Sequence, residues 1–202
     1  MKNKAKAIIK TGILSVVVIA LAYVYSHVDK NSYLYDRNTD TFNSIGVLEG
    51  NGSIQQTFVA QDKSIDGVNI KVTSVGDVED VVVHYSLVDK VTGDTVTQKV
   101  AAKNLKSNKF NYLELPTVQD AKGKTFTVIF TAENADEENG IIFYTVPVKK
   151  TNHKLHVDGE QQEGILAMRT VCHRFDTETF VVLLGIVVFV VLFMRTLYKS
   201  FR

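Results

Sequence analysis

The sequence predicts an all-β exported domain, a jelly-roll-like β-sandwich of about eight strands, flanked by two transmembrane α-helices. Three observations lead there. Charge-free apolar runs lie near both ends, Gly12–Val28 (GILSVVVIALAYVYSHV) and Phe180–Met194 (FVVLLGIVVFVVLFM). Between them apolar residues recur with a period of two, as in strands buried on one face. Turn-forming pairs punctuate those stretches at short intervals.

Residues 1–10 form a basic tail with Lys2, Lys4, Lys6 and Lys10. Residues 11–28 read as the first span and 180–197 as the second. A span needs about 20 residues at about 1.5 Å each, which both runs reach if Lys10 and Arg195 snorkel to the headgroups. The β-branched second run is a poor soluble helix, but in lipid each segment must satisfy its own backbone, which a helix does. Residues 198–202 close the chain with Lys199 and Arg202. Basic residues outside both runs, with Asp176 and Glu178 just before the second, put both termini in the cytoplasm and residues 29–179 outside a bacterial cytoplasmic membrane. The basic start and Ala20-Leu21-Ala22 also fit a signal peptide cleaved at Ala22. The apolar run continues through Tyr23, Val24 and Tyr25, which favours an uncleaved anchor.

Of the 23 basic residues four precede the first run and three, Arg195, Lys199 and Arg202, follow the second, leaving 16 against all 22 acidic residues in the exported part. That net negative charge excludes nucleic acid as a partner and disfavours anionic headgroups as the main one. Cys172 is the only cysteine, so the domain is held by its core without an internal disulfide. A small buried side chain near a strand end accounts for it.

Residues 29–44 read as a polar juxtamembrane spacer with Tyr33, Tyr35 and Phe42 scattered through it. Residues 45–173 form the sandwich. Its strands are expected at Ser53–Ala60, Gly67–Thr73, Val81–Val88, Thr95–Ala101, Phe110–Leu115, Thr125–Ala132, Ile141–Val146 and Ile165–Val171. Turns are expected at Asp66-Gly67, Gly76-Asp77, Thr92-Gly93-Asp94, Ser107-Asn108, Lys122-Gly123, Asn139-Gly140 and Asp158-Gly159. Val81, Val83, Tyr85 and Leu87, and likewise Phe126, Val128, Phe130 and Ala132, face the core. Val82, His84, Ser86, Thr127, Ile129 and Thr131 point away. Residues 174–179 are a linker.

Gln56-x-Phe58-x-Ala60, Ile65-Asp66-Gly67-Val68, Leu87-x-Asp89 with Thr92-Gly93, Asp120 to Phe126 (DAKGKTF) and Gly164 to Thr170 (GILAMRT) occur in that order. Together they resemble the jelly-roll-type, carbohydrate-binding-like module attached to bacterial membrane proteins of surface-polysaccharide assembly, including integral-membrane glycosyltransferases. The resemblance covers roughly residues 45–173. It implies a glycan, or an integral-membrane protein of envelope glycan assembly, as partner beside the lipid bilayer. The multi-span catalytic region of the larger members is missing here, so the resemblance implies no transferase activity.

Chemistry-bearing constellations are sparse. His153 and His156 lack a third ligand nearby, and Cys172-His173 point to opposite faces in a strand. The carboxylates Asp62, Asp66, Asp77, Glu79, Asp80 and Asp136 to Glu138 sit at turn positions, where acids are ordinary. A structural calcium is conceivable there, and no cofactor is expected. The spans hold no acid or base that would relay protons. For glycan contact the residues to inspect are aromatic platforms. Tyr85 belongs to the core face, leaving Tyr112 and Tyr144 as candidate ligand-binding residues. The expected function is non-catalytic: binding or positioning an envelope glycan, or docking glycosyltransferase or flippase machinery. A purely structural membrane subunit is the alternative.

Overall fold

The computed structural model describes residues 2–147 and 153–201. The chain divides into two compact units, Lys30–Cys172 and, separately, Met1–Asp29 with His173–Arg202.

The first unit is built from two antiparallel sheets. The seven-stranded sheet has the order β1 (His27–Tyr33), β13 (Met168–Phe175), β4 (Ile65–Val75), β9 (Gly140–Val146) and β12 (Ile165–Leu166). β2 (Asn43–Leu48) pairs with β9, and β7 (Lys109–Val118) pairs with β4. The six-stranded sheet runs β11 (Glu160–Gln162), β10 (Lys154–Val157), β3 (Ile54–Val59), β8 (Thr125–Glu133), β5 (Val82–Asp89) and β6 (Thr95–Ala101). The long β4 organises its sheet. One edge pairs with β7 from Ile65 to Val72, and the other pairs first with β13 and then, from Val72 to Val75, with β9.

Alternation places the core between the sheets. Val81, Val83, Tyr85 and Leu87 are buried, as are Phe126, Val128, Phe130 and Ala132. Against them pack Val68, Ile70 and Val72 of β4, with Phe58, Phe143, Ile141 and Leu155. Each such side chain contributes about 1.5–3 kcal/mol relative to exposure. Gln56 is a polar side chain buried among them. Its Nε2 donates to the Thr57 and Lys154 carbonyls at 2.9 and 3.2 Å, and its Oε1 accepts from the Leu166 N–H at 2.8 Å, linking β3 to β12 in the opposite sheet. Thr127 points outward as expected yet is buried on that side, its hydroxyl 2.8 Å from that of its register partner Thr57.

Several expectations are corrected. Thirteen strands are present among the described residues, not about eight. The stretch 29–44 is not a spacer, since β1 extends to Tyr33 and β2 starts at Asn43. β1 lacks apolar alternation because a polar anchor holds it: Lys30 Nζ lies 2.7 Å from the buried Asp62 carboxylate, which also accepts from the Ser32 hydroxyl. The compact unit thus begins at Lys30 and ends at Cys172, instead of covering 45–173. The expected strand Ile165–Val171 is two strands, β12 and β13, separated at Ala167. Asp66-Gly67 is not a turn but an irregularity in the pairing of β4 with β7.

The second unit contains two helices in contact, α1 (Lys2–Tyr25) and α2 (Thr177–Ser200). α1 ends short of Val28, with the Ser26 N–H and hydroxyl both donating to the Ala22 carbonyl at 3.0 and 2.6 Å. Asp176 caps α2, accepting from the Glu178 N–H at 3.3 Å and the Thr179 hydroxyl at 2.8 Å, so the expected linker 174–179 shrinks to that residue. Two flanking membrane helices become one on length and composition: among the described residues α2 alone is long and apolar enough to cross a membrane. The apolar part described for α1 is the shorter Ser15–Tyr25.

Candidate functional site

The side of the seven-stranded sheet turned away from the core carries a second layer of side chains. With Val68, Ile70 and Val72 facing inward, the intervening Gly67, Asn69, Lys71 and Thr73 of β4 face outward. Beside them on the same face stand Phe110, Tyr112 and Glu114 of β7, Arg169 of β13, and Tyr144 of β9.

Tyr112 is the most exposed ring of this face, 50% accessible. Its hydroxyl donates to the Asp66 carbonyl at 3.1 Å, and the ring lies against Gly67. A Cβ added at Gly67 would fall 2.6 Å from Tyr112 Cε2 and 2.5 Å from the Leu113 carbonyl oxygen, so only glycine admits this approach. The ring therefore covers Gly67 with its Cε2–Cζ side and is pinned at its far end through the hydroxyl. The Asp66 carboxylate accepts from the Thr117 and Ser64 hydroxyls at 2.6 and 3.0 Å, which holds the loop end of β4 in place.

Across the strands, Arg169, Asn69 and Tyr112 form one row in register. The Asn69 Nδ2 donates to the Asn31 Oδ1 at 2.7 Å, so two side-chain amides lie next to the platform. Beyond them the cations sit on aromatic faces. The Arg169 guanidinium carbon is 3.8 Å from the Phe110 ring centre and 4.4 Å from that of Tyr33. Lys71 Nζ is 4.1 Å from the Phe42 ring centre and 5.3 Å from that of Tyr144. Each such contact contributes about 0.5–2 kcal/mol, more as it is desolvated.

The segment after β1 supplies half of these rings. Leu34 enters the core between the sheets, whereas the next residue, Tyr35, joins Val146 and Ala167 on the outer side with Tyr33, Phe42, Phe110 and Tyr144. Burial pushes the Tyr35 hydroxyl above its ordinary pKa, opposed by a hydrogen bond and the positive charge of Arg169.

The two tyrosines expected from sequence thus share one face but differ in availability. Tyr112 is half exposed. Tyr144 is half-buried, its hydroxyl 2.9 Å from that of Thr73, and belongs to the ring cluster. Asn69, Lys71, Arg169 and the rings at positions 33, 35, 42 and 110 escaped sequence reasoning; the signal for them was the run of aromatics in a stretch otherwise too polar for a core.

Other candidates resolve into structure. Among the described residues no three His, Cys, Asp or Glu side chains are grouped to hold a metal ion. Asp136 accepts the backbone N–H groups of Glu138 and Asn139 at 2.9 and 2.7 Å, and these bonds, with that of the Asn139 side chain, lower its pKa. Cys172 is buried, with Sγ 3.1 Å from the Ser64 hydroxyl. A polar cleft of about 550 Å³ lies among Asn43, Thr145, His153, Gln161 and Gln162, with no Phe or Tyr among its described lining residues.

No protein-family model matches the chain, and no curated protein matches it. Among solved structures, domains of the flagellar cap protein of Escherichia coli align with 84% of this chain and 60% of their own length, at 9% identity and a TM-score of 0.16. The chain therefore spans less than two thirds of that protein, and a likeness of this size carries no argument about fold or function.

Proposed function

We propose that this is a non-catalytic membrane protein whose β-sandwich binds an envelope glycan on the outer face of its seven-stranded sheet. The observation that carries the reading is Tyr112: a half-exposed ring laid over Gly67 and tied to the Asp66 carbonyl. The CH face of a sugar stacks on such a ring, and a ring already fixed loses little entropy on binding. Asn69 and Asn31 supply amide groups at the edge of the platform, suited to hydroxyls. In this proposal α2 anchors the chain in the bacterial cytoplasmic membrane and the sandwich lies outside it. Tethering then raises the local concentration of the module toward lipid-linked saccharides or the enzymes that handle them.

A second reading, a structural subunit packed on a multi-span protein, draws on α2, which has no buried residue among those described. Titration of the full chain in nanodiscs with envelope polysaccharide separates the two. Under the glycan reading Tyr112→Ala weakens binding about tenfold or more, equivalent to about 1.4 kcal/mol, while the melting temperature is kept. Absence of binding by the parent chain, with co-purification of a multi-span protein, favours the subunit.

A further inference from the structure

Among the described residues, three cations on this face have aromatic partners and enter no ion pair with a carboxylate. The ion pairs of the described residues join Lys30 to Asp62, His84 to Glu133, Lys103 to Glu79 and His173 to Asp29. Arg169, Lys71 and Arg37 enter none of them. They stand on rings instead, Arg37 at 5.8 Å from the Tyr33 ring centre. A ring fixes the position of a cation without neutralising it, so the positive field of this end of the face persists.

This arrangement is unexpected in an acid-rich domain, which has ample carboxylates to pair with. The acids nearest the platform, Asp66 and Glu114, stand at the Tyr112 end of the face, and Asp66 is held by Ser64 and Thr117. The face is thus polarised, with Tyr112, the amides and two carboxylates at one end and cations outside any ion pair of the described residues at the other. Within about 8–10 Å, the screening length at moderate salt, local cations outweigh the net charge of the domain.

We propose that the ligand of this face is an anionic glycan, one whose sugars carry carboxylate or phosphodiester groups. The inference rests on the glycan reading above and specifies its ligand class. Adjacent strands lie about 4.8 Å apart, so the row Arg169, Asn69, Tyr112 spans about 10 Å. That length accommodates a sugar ring stacked on Tyr112 with the acidic group of the same or the next residue at Arg169. A guanidinium offers its planar fork to carboxylate or phosphate oxygens, and the Lys71 ammonium adds a point charge on the adjacent row.

The experiment uses the full chain in nanodiscs of zwitterionic lipid and three probes: dextran as a neutral glycan, alginate as a polyuronate, and poly(glycerol phosphate) as a phosphodiester polymer. At least one anionic probe is expected to bind about tenfold tighter than dextran at about 50 mM salt, with the gap closing at about 500 mM. Which of the two binds names the acidic group. Lys71→Gln and Arg169→Gln should each weaken the anionic probe several-fold; each also loses its ring contacts and melts lower, so binding is read at a temperature where the melting curve shows the variant folded. Arg37→Gln, further from the row, gives a milder loss and guards against a packing defect at Arg169. Equal binding of dextran and both anionic probes overturns this inference and leaves the glycan reading standing. Failure of all three probes overturns both.

Discussion

The two sides of the seven-stranded sheet are both apolar, yet they are built differently. The inner side meets the second sheet through aliphatic side chains and phenylalanines that are almost fully buried. The outer side is covered by one short segment and mixes tyrosines and phenylalanines with Lys71 and Arg169. The outer face of the six-stranded sheet offers a second contrast, because its contacts are between hydroxyls, such as Thr57 with Thr127 and Ser86 with Thr97. Folding explains the inner layer and solvation explains the six-stranded face. Neither requires a polarised row of rings and cations, which makes the outer layer the part of the molecule with something left to do.

The contrast predicts opposite responses to substitution. On the inner side, Phe130→Ala removes a fully buried ring whose centre is 5.0 Å from that of Phe143, at an expected cost of about 3–5 kcal/mol. The melting temperature of the full chain in micelles should fall accordingly. A loss below about 1 kcal/mol would mean that the inner layer is loosely packed and the comparison is void. Gln56→Leu comes next, at about 1–3 kcal/mol, because the Leu166 N–H and the Lys154 carbonyl lose a buried partner between the sheets. Thermal denaturation reads it directly, and an unchanged melt refutes the role of Gln56 in holding β12 to β3.

One tyrosine on each side sharpens the comparison by pH. Tyr85 lies in the inner core with its hydroxyl donating to the Glu114 carbonyl at 2.9 Å, and Tyr35 lies in the outer cluster. Burial raises both pKa values; the charge of Glu114 adds to the rise at Tyr85, whereas Arg169 opposes it at Tyr35. A phenol whose folded pKa exceeds its unfolded value of about 10 binds its proton more tightly when folded. The resulting stabilisation is complete below pH about 10 and is lost as pH rises through the higher folded values. Denaturant midpoints measured from neutral to strongly alkaline pH should therefore fall only in the alkaline range. Tyr85→Phe and Tyr35→Phe should each flatten that fall. A parent profile that stays level there would contradict the burial of both hydroxyls.

How much of this was legible in the sequence follows from the same physics. β5 and β8 stand close to the expected bounds because apolar residues recur at every second position against one core, and β6, mostly exposed, because the Thr92-Gly93-Asp94 turn joins it to β5. The Asp158-Gly159 signal was also sound, with φ of 53° and 84° at the tip between β10 and β11. Its strands were invisible, however, since Lys154–Val157 and Glu160–Gln162 are too short and polar to show a period. β1 escaped because Lys30, Ser32 and Asp62 hold it through polar contacts, and β2 because its pairing shifts between Ser44 and Val47. At the candidate site, Tyr112 was legible as a ring on a strand with no assigned core role. Its neighbours were not, because Arg169 and Lys71 become a cluster only through the register of three strands distant in sequence.

The smallest expected effect tests the outer layer most finely. Tyr112→Phe keeps the ring and removes only the hydroxyl that donates to the Asp66 carbonyl. Because the ring is half exposed, water replaces the lost partner, and stability should change by about 0.5 kcal/mol or less. The ring would still rest on Gly67, so stacking area is retained, but it is no longer pinned at its far end. Glycan affinity should then fall by about two- to threefold, between the parent and the larger loss of Tyr112→Ala. If Phe at this position binds as weakly as Ala, the hydroxyl itself contacts the ligand and the platform geometry is wrong. If Phe and Ala both bind like the parent, the ring contributes nothing, and the outer layer is packing of the same kind as the inner one.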